Sequence, residues 1–268
     1  MLKLLKYEFY RKLKMFIIAA SILVFAEGVV LFGIFKGGGW TILSFLTTFF
    51  MISGVVLFVF IDSIRTYSSD LNQKEGYSLF LTPTSGYKII GSKAIMSFLE
   101  LLVFVTIVFA MMVLNFEVTK FMYKDVVQSI LDPMFEALKT VYTIPNLFEI
   151  IMIVLVYVFE WFAVIMIAIL SMTLRKTILA NSKLGWLISL VFFVVLYSTM
   201  ETITMFVLAP FGFYREIIDL IQTSTQFAPS QFTFNIFKYV GVAACMYPLY
   251  LGILFYFSGK LLNQRVDL

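Results

Sequence analysis

The chain has 268 residues, is 61% apolar with 31 Phe, carries only 13% charged residues, and has a net charge of +4. Ordinary soluble domains are about 25% charged, so the apolar excess is more than one soluble core can bury and must face lipid. The 20 Lys and Arg are scattered through the gaps between apolar runs, which argues against a nucleic-acid surface, and the single Cys245 excludes an internal disulfide framework.

In chain order, residues 1–14 come first. Leu2, Leu5, Phe9 and Leu13 recur at helical spacing, with Lys3, Lys6 and Arg11 turned away from them. This predicts an amphipathic interfacial helix with its cations near anionic headgroups. A signal peptide is the alternative, but the following apolar run is too long for its core and lacks a small-residue cleavage site.

Six apolar runs then follow, at residues 15–35, 40–61, 94–114, 150–174, 184–209 and 239–259. A helix needs about 20 apolar residues to cross the hydrocarbon, and an open strand there would leave its backbone unpaired. The expected fold is therefore an all-α polytopic membrane protein, with residues 15–268 as a six-helix transmembrane domain. Gly37, Gly38 and Gly39 predict a tight first connection, Pro210 closes the fifth span, and Pro248 falls inside the sixth.

Orientation follows from the basic residues in the gaps. With the N-terminus inside, 14 Lys and Arg fall in inner segments and 6 in outer ones. Both termini are then cytoplasmic, and residues 63–92 form a cytoplasmic loop. The outer gaps 116–147 and 211–237 contain apolar positions such as Val126, Ile130, Ile217 and Ile221 that suit helices on the outer leaflet or short turns in solvated loops.

The loop holds the only stretch that resembles a nucleotide site, Gly86-Tyr87-Lys88-Ile89-Ile90-Gly91-Ser92-Lys93. The glycines have P-loop spacing, but the serine stands where the phosphate-binding lysine is required and no strand precedes it. Lys93 reads instead as a snorkelling anchor for the third span. Histidine is absent, so neither a zinc-protease motif nor a serine triad of the usual kind can be assembled. The chain is not expected to be an enzyme.

Within the loop, Asp70 is a candidate helix N-cap, with a helix to about Leu81, a break at Pro83 and a restart after Gly86. An acidic residue and glycine, a leucine-rich turn, proline with a small polar residue, an apolar pair and a lysine follow in order: Glu75, Gly76, Leu79-Phe80-Leu81, Pro83, Ser85, Ile89-Ile90 and Lys93. This pattern resembles the loop of ABC-2-type transporter permeases, the membrane-spanning subunits of bacterial ABC exporters. The topology is similar over the full length; the residue-level similarity is confined to the loop. The resemblance implies a permease in the plasma membrane, paired with a second copy or a paralogue and resting on a dimeric ABC ATPase. ATP and Mg would sit on that partner, with no cofactor on this chain. Asp70, Glu75, Gly76, Leu79, Pro83, Ser85 and Lys93 would couple the loop to the ATPase.

Four carboxyl groups fall inside spans: Glu27, Glu100, Glu160 and Glu201. A charge at mid-membrane costs about 3 kcal/mol on insertion scales, so these groups avoid lipid. They either line a translocation pathway for a cationic or amphipathic cargo or serve as structural hydrogen-bonding groups. The many Phe and Met residues favour a hydrophobic or amphipathic peptide as cargo. The alternative is an ATP-independent secondary transporter using the glutamates as proton or sodium sites. A non-transporting membrane assembly or immunity factor is a third class.

Overall fold

The computed structural model describes residues 2–72, 85–124, 147–178, 184–211 and 229–264. Six helices account for nearly all of them: α1 (Leu2–Lys36), α2 (Trp40–Asn72), α3 (Gly86–Met122), α4 (Leu147–Ile178), α5 (Gly185–Leu208) and α6 (Pro229–Gln264). A short 3-10 turn, Ala209–Phe211, follows α5 at Pro210. There is no strand among the described residues, and all six helices are long and apolar enough to cross a membrane. The protein is an all-α polytopic membrane protein.

Polarity is inverted relative to a soluble fold. Phe25 is 77% and Phe121 is 87% exposed, whereas Glu8, Lys12, Asp70, Lys93 and Glu100 are buried. Lipid, not water, is the solvent in which such a surface is stable.

The chain divides into two compact units, Met1–Asp70 with Gly91–Met134, and Leu71–Ile90 with Phe135–Leu268. In the first unit, α1 and α2 form a hairpin. Gly37 and Gly38 take positive φ of 70° and 58°, a conformation that glycine adopts without steric cost. The helices approach closely at Gly33, where a Cβ would stand 2.1 Å from Ser44 Oγ and 2.8 Å from the Trp40 carbonyl. The Ser44 hydroxyl lies 2.9 Å from the Val30 carbonyl, which accepts its hydrogen bond. Phe104 of α3 is buried between the two, stacked on Phe16 at 5.3 Å and edge-on to Phe58 at 5.6 Å. The Tyr123 hydroxyl donates to the Ile34 carbonyl at 2.8 Å.

In the second unit α4 packs against both α5 and α6. Ala163, Ile167, Met200 and Tyr247 form the buried centre of this packing. The first turn of α3 belongs here too. Gly86 N–H donates to Asn263 Oδ1 at 2.6 Å, and Gly259 leaves space for the Tyr87 ring, which a Cβ would meet at 2.2 Å. A side chain at either glycine would force the two segments apart.

Two local expectations differ from the structure. Helix α1 runs unbroken from Leu2 to Lys36, so the interfacial segment and the first span form one continuous helix. Its 35 residues reach roughly 52 Å, against about 30 Å of hydrocarbon. Asp70 is not an N-cap: α2 extends through it to Asn72, and the carboxylate is buried. The ion pairs described below hold the helix on past its apolar run. The expected restart after Gly86 is present as the start of α3, and Ser85 supplies the carbonyl that accepts from Lys88 and Ile89. The predicted helices in the outer gaps fall largely in residues 125–146 and 212–228, outside the described residues.

Candidate functional site

Buried charge in the first unit is gathered at one end of its three helices. On α1, Glu8, Arg11 and Lys12 are three and four residues apart and therefore share a face. The apolar stripe Phe9 and Leu13 is exposed, while Glu8 and Lys12 point inward. Asp62 and Asp70 enter from α2, and Lys93 and Glu100, seven residues apart, enter from one face of α3.

These groups form two sets. In one, Arg11 donates to Glu8 Oε2 and to Asp70 Oδ1, each at 2.6 Å. Lys93 Nζ donates to Glu8 Oε1 at 2.8 Å and also to Asp70 Oδ2. Each carboxylate therefore uses both oxygens, and the two negative charges are matched by two positive ones. In the other set, Lys12 Nζ donates to Glu100 Oε2 at 2.6 Å and lies 2.5 Å from Asp62 Oδ2. A hydroxyl pair, Ser63 and Ser97 at 2.7 Å, joins α2 to α3 alongside. Charge-assisted bonds of this kind are short and directional, and a buried pair is strongly destabilised by loss of one partner.

Lys93 is thus not a snorkelling anchor. Its ammonium is 5% exposed and turned into the unit, because two carboxylates there offer it more than the headgroup layer does. Of the proposed coupling residues, the structure brings together Asp70 and Lys93. Ser85 is exposed at the start of α3. Glu75, Gly76, Leu79 and Pro83 lie outside the described residues.

The four glutamates do not form one lining. Glu100 belongs to the charged end of the first unit. Glu27 lies at the other end of that unit, buried, with Asn115 Nδ2 donating to its Oε2 at 3.3 Å. Asn115 is 15 residues beyond Glu100 on α3, roughly 22 Å along the helix. In the second unit, Glu160 of α4 and Glu201 of α5 are near enough for their charges to interact. Both are half-buried. The Tyr197 hydroxyl faces Glu201, and Tyr247 of α6 lies within the field of both carboxyl groups. Thr204 and Tyr250 bond at 3.3 Å one turn away. This is a polar seam inside an apolar helix packing, formed by residues from all three helices.

Glu8, Lys12, Asn115 and the tyrosines escaped the sequence reading, and Arg11, expected near the headgroups, is instead bonded to Glu8 and Asp70. One signal was present: Glu8 is the sole acidic residue among the first fourteen, four positions before Lys12. No group of three or more His, Cys, Asp or Glu side chains that could hold a metal ion occurs among the described residues. No family model, curated protein or solved structure matches the chain.

Proposed function

We propose that this chain is the membrane-spanning permease subunit of an ATP-driven exporter of the ABC-2 type, working beside a second copy or paralogue and a separate ATPase dimer. On this reading both termini and the loop after α2 face the cytoplasm of a bacterial-type cell, and the cargo is hydrophobic or amphipathic, a peptide being favoured.

The observation that carries the reading is the anchoring of the loop. Asp70, near the end of α2, is bonded to Arg11 and Lys93. Gly86, at the start of α3, is bonded to Asn263 near the end of α6. A segment that transmits displacement from an engine needs stiff attachments on both sides, and bonded anchors supply them. Residues 73–84 between these anchors contain the Glu75, Gly76 and Pro83 pattern.

Affinity purification of the tagged chain from its native membrane tests this directly. A companion ATPase is expected to co-purify, and its hydrolysis to be altered by Glu75→Ala or Pro83→Gly. Cargo movement by this chain alone in liposomes, with no nucleotide hydrolase, would sink the proposal. The proximity of Glu160 and Glu201 favours a second reading, an ion-coupled secondary transporter. That reading predicts proton- or sodium-driven uptake in the same liposomes.

A further inference from the structure

The two charged sets in the first unit differ in balance. Glu8 and Asp70 are matched by Arg11 and Lys93, each cation bonded to both carboxylates. Asp62, Lys12 and Glu100 hold two carboxyl groups for one ammonium, and these side chains are 6%, 4% and 1% exposed. Among the described residues, the cations of the adjoining set, Arg11 and Lys93, are already engaged by Glu8 and Asp70, so neither supplies the missing charge. Glu100 Oε1 is fully buried and accepts no hydrogen bond, and neither does Asp62 Oδ2, for all its closeness to the ammonium. The Ser63 and Ser97 hydroxyls beside them are occupied by each other and by the Val59 carbonyl.

A net negative charge sealed in a low-dielectric site is costly, and the usual relief is neutralisation. We infer that the Asp62–Lys12–Glu100 triad binds one proton, held in common by its two carboxyl groups beside the ammonium. One O–H bond forms, the proton comes from solvent, and the triad becomes neutral. Two carboxyl groups coupled through one cation titrate as a unit, so the proton belongs to the pair rather than to either residue. The charged groups that form it are Lys12 from α1, Asp62 from α2 and Glu100 from α3. The Glu8, Arg11, Asp70 and Lys93 set adjoins it on the same three helices.

The inference goes beyond the transport reading. It requires only that the three helices of the first unit be packed, and it stands whether or not an ATPase partner is found. A monovalent metal cation could supply the same charge, and the experiment separates the two.

The test is infrared spectroscopy of the full chain in lipid, recording the carbonyl stretch of protonated carboxyl groups in H₂O and D₂O. Glu27, Glu160 and Glu201 are common to all samples and cancel in wild-type-minus-variant spectra. Glu100→Gln and Asp62→Asn each leave a balanced Lys–carboxylate pair, so each is expected to lose one protonated-carboxyl band. Lys12→Met leaves two acids with no cation and is expected to gain one. Either acid variant suffices if the other fails to fold, as judged by size-exclusion elution. An unchanged band in a folded Glu100→Gln or Asp62→Asn protein overturns the inference. So does a wild-type melting temperature that rises with sodium in place of choline and loses that response in Glu100→Gln, which would assign the site to a metal cation.

Discussion

Lys12 on α1 and Glu100 on α3 stand 88 positions apart in the chain and 2.6 Å apart in the structure. With Lys93 joining Glu8 of α1 to Asp70 of α2, this contact ties three helices together through charge rather than through apolar packing alone. The expected consequences are specific to position.

Lys93→Met leaves Glu8 and Asp70 facing each other with Arg11 as their one paired cation among the described residues. Removal of one partner from a buried ion pair costs about 3–5 kcal/mol. The variant should melt at a distinctly lower temperature in detergent, whereas Lys88→Met, an exposed position on the same helix, should melt like the wild type. Thermal unfolding followed by circular dichroism distinguishes them.

Gly33→Ala should separate the α1–α2 hairpin. The added methyl meets Ser44 Oγ and the Trp40 backbone carbonyl, and overpacking of this kind costs about 1–3 kcal/mol. Gly28→Ala on the same helix meets nothing within 4 Å and should be neutral or slightly stabilising. The same melting measurement applies.

Asn263→Leu removes the acceptor of the Gly86 N–H, a part-buried bond worth about 0.5–1.5 kcal/mol. Local opening should increase without global unfolding. Faster hydrogen exchange confined to the first turn of α3 is the expected result, read by mass spectrometry.

Glu160→Gln and Glu201→Gln probe the polar seam of the second unit. If these groups lie on the cargo path, each should lower transport of a cationic cargo about tenfold, equivalent to about 1.4 kcal/mol. The double variant should fall short of the product of the two effects, since the groups share one field. Initial transport rates in reconstituted vesicles provide the measure.

Ser85 is exposed at the start of α3 and tests orientation. In a Cys245→Ala background, Ser85→Cys should resist a membrane-impermeant thiol reagent in intact cells and react after permeabilisation. Labelling in intact cells would reverse the proposed topology.

All six spans were legible in the sequence because length and hydropathy decide them, and the Gly37–Gly38 turn because few other residues tolerate its φ. The partners of the α1 polar face were not. Periodicity shows that Phe9 and Leu13 share a face and turns Arg11 away from it, but it does not say whether the polar face meets headgroups or other helices. In lipid the apolar side turns outward, so Glu8 and Lys12 became the packing residues. Asp70 and Lys93 were misread for a related reason: capping and snorkelling rules describe isolated helices, and here each residue had a partner on another helix. Glu100 was placed correctly away from lipid, yet its partner lies too far along the chain for any local rule to find.

The unbroken α1 also has a consequence for biogenesis. Lys12 is synthesised long before either of its carboxyl partners. It meets Asp62 only when α2 has followed it into the bilayer, and Glu100 only when α3 is under way. Until then the newborn helix offers its ammonium only Glu8, one turn back on the same face, so the final pairing must wait on the ribosome.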